Sequence, residues 1–322
     1  MGRRGEGPDQ AERLVDEAEA LLDEGRIDDA LAAYDRALAA GKDDVEVLLG
    51  AADLYVNRLP DDARDHEALE RGIGLARAAA RLARKAGDDA LQGEAAWLEG
   101  AALTQLGRPA EALPRLDLAA KALPEAVEVA LEQGIALHEL CRWDDAREAL
   151  LRAEALDRDD PWVQHQLGLV AERRGDRKRA DGLLARARKI DPEDFPPEVA
   201  VDEETFRREV REAIAALPED EKRSLATVPV EISDLPEADD LLAVDPPLSP
   251  SILGLFRGPS DSEPCTAEDG PRCRAIVFYR RNLVRFARDK KELENQVRVT
   301  LLHELGHLHG EDDDQLRARG LE

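Results

Sequence analysis

Near the end of the 322-residue chain stands the run His303-Glu304-Leu305-Gly306-His307. Histidines four apart share one face of a helix, so both imidazoles can reach a single metal ion. Glu304 stands where a carboxylate can take a proton from a metal-bound water without itself ligating the metal. Such types at such spacing are suited to metal-assisted hydrolysis. The chain has six histidines in all, and three of them, His303, His307 and His309, fall at this end.

A zinc site that keeps a position open for water needs a third protein ligand. Fifteen residues follow His307, so that ligand is expected from the immediate tail or from upstream, not from a distant later helix. Gly310 lets the chain turn, and Asp313 stands six residues after His307, with Glu311, Asp312 and Asp314 competing for the role. This acidic run lacks the alternating ligand spacing of a calcium loop. His309 is two positions from His307, points to another helical face and reads as solvent-facing. Cys265 and Cys273 share one loop and could pair or hold a metal, but free thiols are expected in a reducing cytoplasm.

The element carrying these histidines reads as a helix from Asp289, whose spacing to Glu292 is that of a capping box. Its apolar period runs through Leu293, Val297, Leu301, Leu305 and Leu308 to a stop at Gly310. Upstream, Ala275–Tyr279 is the most strand-like segment, Val228–Ile232 reads as another strand, and Ile252–Phe256 is a short apolar run in a loop. A helix is expected over Glu203–Ala216, with Phe206, Val210 and Ile214 on its apolar face.

Farther upstream the chain repeats itself every 34 positions. Gly100, Gly134 and Gly168 form one column; Ala112, Ala146 and Ala180 a second; Leu116, Leu150 and Leu184 a third; Ala119, Ala153 and Ala187 a fourth. Small residues suit close crossings of antiparallel helices, and the leucines are expected to fill gaps between neighbouring hairpins. Gly107 and Gly175 fall in turns, with Cys141 in the equivalent place. An earlier unit fits at Ala18, Gly25, Ala30, Tyr34 and Ala37, and residues 44–87 read as a degenerate unit with an insertion near Arg58–Glu70. These columns resemble the tetratricopeptide repeat family, giving about five hairpins in a right-handed helical solenoid. The resemblance implies a partner groove lined by the first helix of each hairpin: Trp97, Ala101, Leu131, Ile135, His165 and Leu169. A protein or peptide, or the chain's own second domain, is the expected occupant.

Composition narrows the classes. Lys and Arg number 45 against 71 Asp and Glu, a net charge of −26, which repels phosphate backbones and argues against nucleic acid. No apolar leader or membrane-length apolar run is present, so a cytoplasmic protein without membrane contact is expected. Hydrophobic residues make up 43% but aromatics only 3%, a balance favouring helix. The expected fold class is mainly α: a repeat solenoid over 10–192, a proline-bearing linker over 193–202 and a small α+β domain over 203–322. Oligomeric state leaves no mark in the sequence.

The segment TLLHELGHLHGEDDDQLRARGL, with ILGLFRG and AIVFYRRNL before it, resembles the bacterial minimal zincin-like metallopeptidase family. Carried over position by position, the resemblance implies metal ligands His303, His307 and Asp313, general base Glu304 and a zinc cofactor. Many members place a second histidine directly after the HExxH run; here that place is Leu308, and His309 comes one later. The spacing also matches metzincins, but those need a methionine turn and the sole methionine is Met1. Zincin substrates lie along an edge strand, for which Ala275–Tyr279 is the candidate, with Tyr279, Arg280 or Arg281 to stabilise the oxyanion. The expectation is a zinc-dependent peptidase whose repeats recruit substrate or partner. The alternatives are a non-catalytic scaffold with a structural or vestigial metal site, or repeats that dock on the catalytic domain as a lid.

Overall fold

Five consecutive helical hairpins occupy the first half of the chain: α1 (Glu6–Asp23) with α2 (Ile27–Ala40), α3 (Val45–Asp53) with α4 (His66–Ala86), α5 (Asp89–Gln105) with α6 (Pro109–Ala122), α7 (Val127–Glu139) with α8 (Trp143–Leu156), and α9 (Pro161–Arg173) with α10 (Arg177–Ile190). A computed structural model describes residues 6–41, 43–60, 63–265 and 273–321. In it the chain divides into two units, Met1–Ile190 and Asp191–Glu322. Among the described residues no helix is long and apolar enough to cross a membrane.

The repeat columns explain the hairpins. A Cβ placed on Gly100, Gly134 or Gly168 would lie 2.6, 2.4 or 2.8 Å from the side chain of Leu116, Leu150 or Leu184. Each leucine therefore covers the glycine of its own hairpin, where the sequence suggested a filler between hairpins. Gly107 and Gly175 turn with φ of 68° and 81°, and Cys141 takes 57° in the equivalent place, a left-handed conformation costing a residue with a Cβ roughly 1–2 kcal/mol. The stretched second hairpin accommodates its extra residues with a π-helical turn, Leu54–Arg58, after α3 and a long α4.

The second unit is a three-stranded sheet beside a long helix. Its elements are α11 (Glu203–Ala216), α12 (Glu219–Leu225), β1 (Val230–Ser233), α13 (Ala238–Leu241), β2 (Gly254–Arg257), β3 (Ala275–Tyr279), α14 (Arg280–Phe286), α15 (Lys290–Leu308) and α16 (Asp313–Ala318). Sheet order is β1-β3-β2, with β1 parallel and β2 antiparallel to β3. All five residues of β3 are buried, as a strand covered on both faces must be. The core joins Phe206 and Val210 of α11, Ile276 and Phe278 of β3, and Leu293, Val297, Leu301, Leu305 and Leu308 of α15. The stretch before α11 packs on this unit: Val199 and Val201 lie against its core, and the Val199 N–H donates to the Val284 carbonyl at 3.1 Å.

Candidate metal centre

The site begins with how α15 starts and stops. The Asp289 carboxylate caps its first turn by accepting the Glu292 N–H at 2.9 Å, and Glu292 in turn accepts the Arg288 N–H at 2.7 Å. At the far end Gly310 has φ 82°, and the N–H groups of Gly310 and Glu311 bond the carbonyls of His307 and Gly306. The leucine stripe buries one side of the helix and leaves His303 and His307 half-buried on another.

Both rings are held by their outer nitrogens. His303 Nδ1 lies 2.6 Å from the Leu321 carbonyl oxygen, and His307 Nδ1 lies 3.0 Å from that of Glu311. A carbonyl oxygen only accepts, so these contacts suit the tautomer with the proton on Nδ1, which would leave each Nε2 a lone pair for a metal. The two Nε2 atoms are 3.1 Å apart, and Asp313 Oδ1 lies 3.8 Å from one and 3.3 Å from the other. Two lone pairs and a carboxylate oxygen converging within 4.8 Å repel one another unless a cation sits among them. Two imidazole nitrogens and one carboxylate are a donor set that suits zinc and leaves a coordination position open.

The four neighbouring acids are sorted by α16. Asp312 caps that helix, accepting the Gln315 N–H at 2.9 Å while Gln315 Oε1 accepts the Asp312 N–H. Asp314 pairs with Arg317 at 2.8 Å, and Glu311 pairs with Arg319. Asp313, at the first helical position and 75% exposed, is the acid brought to the imidazoles. Gly306 permits this arrangement, because a Cβ there would lie 2.2 Å from Leu316 Cδ2 and would push α16 away. Sequence reasoning missed α16, although Asp312 and Gln315 have capping-box spacing.

Glu304 is 5% exposed on the sheet side of α15. Burial pushes its carboxyl up to about 8, with an N–H from Phe256 pulling the other way and Asp313 adding to the rise. Phe256 belongs to β2, which pairs with β3 on one side and turns its other edge towards α15. A Cβ on Gly254 would lie 2.5 Å from Thr300 Cγ2 and 3.0 Å from Glu304 Oε1, so only glycine permits this approach of strand to helix. Asn282 steadies the entry to β2, donating to the carbonyls of Pro250 and Ile252 at 2.9 and 2.7 Å. A cavity of about 180 Å³ opens beside His303 and Glu304, walled by Ile252, Leu253, Val299 and Leu321 among others.

Other expectations fall elsewhere. Ala275–Tyr279 is the central strand, paired on both sides, so the free edge beside Glu304 is β2. Tyr279 is fully buried with its hydroxyl 3.4 Å from Asp240, and Arg280 pairs with Asp234 at 2.6 Å, so both groups are engaged by carboxylates. The Arg281 N–H bonds the Asp234 carbonyl. His309 lies between Asp261 at 2.9 Å and Glu221 at 3.0 Å; burial opposes its charge, but the two carboxylates outweigh it and raise its pKa. Cys265 and Cys273 are not free thiols but a disulfide with Cα atoms 5.8 Å apart. Antiparallel pairing of β2 with β3 brings the two ends of their loop together, a proximity no local signal announces. Trp97 on α5, Leu131 on α7 and His165 on α9 are half-buried at one 34-residue register, and Ile135 on α7 and Leu169 on α9 at a second, whereas Ala101, which shares that second register, is fully buried.

Residues 225–321 match the family model of zincin-like metallopeptidases. The structure of YrrB, described as a TPR protein with an unusual peptide-binding site, is 22% identical, covering 56% of this chain and 86% of that one with a TM-score of 0.40. A fragment of MamA from Desulfovibrio magneticus is 20% identical, covering 56% of this chain and 95% of its own with a TM-score of 0.45. No curated protein matches the chain. The chain thus joins an array of five helical hairpins to a domain whose residues 225–321 match the zincin-like metallopeptidase family.

Proposed function

We propose that the second unit is a zinc-dependent peptidase, with His303, His307 and Asp313 as metal ligands and Glu304 as general base. The observation that carries this reading is the convergence of two Nε2 atoms and one carboxylate beside a buried glutamate. Zinc held there would supply Lewis acidity and lower the pKa of water towards about 7. Glu304 takes a proton from water as the water oxygen attacks the peptide carbonyl, then delivers it to the leaving amine nitrogen. Burial makes the Glu304 carboxylate more basic, which suits it to accept a proton and then pass it on. The substrate lies extended along the outer edge of β2, with an apolar side chain in the cavity between Ile252, Val299 and Leu321.

Metal analysis together with Glu304→Gln tests the reading. Expected is about one zinc per chain in both forms, with peptide hydrolysis in the variant lowered by roughly 10²–10⁴-fold, the range of general acid–base catalysis. Equal hydrolysis by variant and wild type would remove the assignment of Glu304. The repeat array we assign to holding a protein or peptide partner along the half-buried positions Trp97, Leu131, Ile135, His165 and Leu169. Quenching or shift of Trp97 fluorescence on binding, lost in Ile135→Asp, checks that role.

A further inference from the structure

His303 and His307 are braced in different ways. The carbonyl that holds His307 comes from Glu311, four residues along the same turn, and follows from the helix stop at Gly310. The carbonyl that holds His303 comes from Leu321, eighteen residues away, and reaches it only because the chain reverses after α16. Gly320 makes the reversal with φ 71°, and the N–H groups of Gly320 and Leu321 bond the carbonyls of Arg317 and Leu316. The Leu321 residue is 8% exposed and lines the cavity beside Glu304, so packing fixes the carbonyl's position. The contact at 2.6 Å is shorter than the one at His307.

We propose that Leu321 is a positioning residue for the metal centre: its buried side chain anchors a carbonyl that holds His303 in the tautomer presenting Nε2 to the metal. This rests on the reading of His303 as a ligand. With the carbonyl removed, His303 loses its reason to keep the proton on Nδ1, and its ring is free to rotate about Cβ–Cγ. Partners of this kind orient first-ring ligands, and their loss weakens metal affinity by about 10–100-fold. Leu321 thereby links the wall of the cavity to one ligand, while His307 is braced by Glu311.

The ring-nitrogen NMR shifts of His303 in metal-free wild-type protein test the proposal with no substitution. The Nδ1–H tautomer is expected, and an Nε2–H tautomer overturns it. Zinc affinity, measured by competition with a chromophoric chelator, is then compared across Leu321→Ala, Gly320→Val and the conservative Leu321→Met. The first two are expected to lose 10–100-fold with secondary structure retained, and Leu321→Met to stay within about twofold of wild type. Unchanged affinity in all three overturns the role of Leu321 while leaving His303 a ligand. Absence of zinc binding by the wild type overturns both.

Discussion

At the scale of single residues, the centre is an exercise in separating like from like. Four consecutive acids, Glu311 to Asp314, stand after the helix stop, and three tasks divide them. Two are neutralised by arginines, one caps α16, and Asp313 faces the imidazoles. Asp313→Asn is therefore expected to weaken zinc binding by more than the 10–100-fold that loss of an outer partner costs. Asp312→Asn, which preserves a good cap, and Asp314→Asn should leave affinity near wild type; chelator competition on the three variants checks this. Equal losses in all three would mean that the run acts only as a diffuse negative field.

At the scale of elements, the site depends on two close approaches to α15: β2 on one side and α16 on the other. Both need glycine, Gly254 and Gly306, because a Cβ at either position meets a side chain within 2.5 Å. Gly306→Ala should cost about 1–3 kcal/mol of stability, the usual penalty of overpacking, and lower zinc affinity through displacement of α16, measured by urea denaturation and chelator competition. α15 also meets α11, where Glu209 is 5% exposed with no hydrogen-bond partner for either carboxylate oxygen and Lys290 Nζ 3.9 Å away. Burial raises its pKa. The folded state then holds this proton more tightly than the unfolded chain, so stability is greatest below the ordinary carboxylate range and falls as pH rises through the raised pKa. Glu209→Gln should flatten that slope and raise the urea midpoint at pH 7, as denaturation between pH 4 and pH 7 would record.

At the scale of the whole molecule, each unit carries its own core. The hairpin array is cemented by small residues against leucines, the second unit by α11, β3 and α15. Leu150 is fully buried over Gly134, and Leu150→Ala should cost the first unit about 2–5 kcal/mol by transfer and cavity formation. Two calorimetric transitions are expected, with this substitution lowering one and leaving zinc-dependent stabilisation of the other intact. A single transition lowered as a whole would show that the units unfold together.

What consecutive residues determine by themselves is anything with a local period or a local stop. The 34-residue columns announced the hairpins and the left-handed turns, including Cys141 in a glycine's place, and the HExxH helix was legible from its leucine stripe, its Asp289 cap and Gly310. The central strand Ala275–Tyr279 was legible too, because a strand buried on both faces is a continuous apolar run. Its position in the sheet was not. Only tertiary structure decided that β2 is the edge beside Glu304, that Asp313 among four acids turns to the histidines, that Cys265 meets Cys273, and that Leu321 returns to hold His303. The physical reason is common to all four. Each depends on the register in which distant segments pack, and that register is set by the shape of the buried core, not by the residues whose chemistry it brings together.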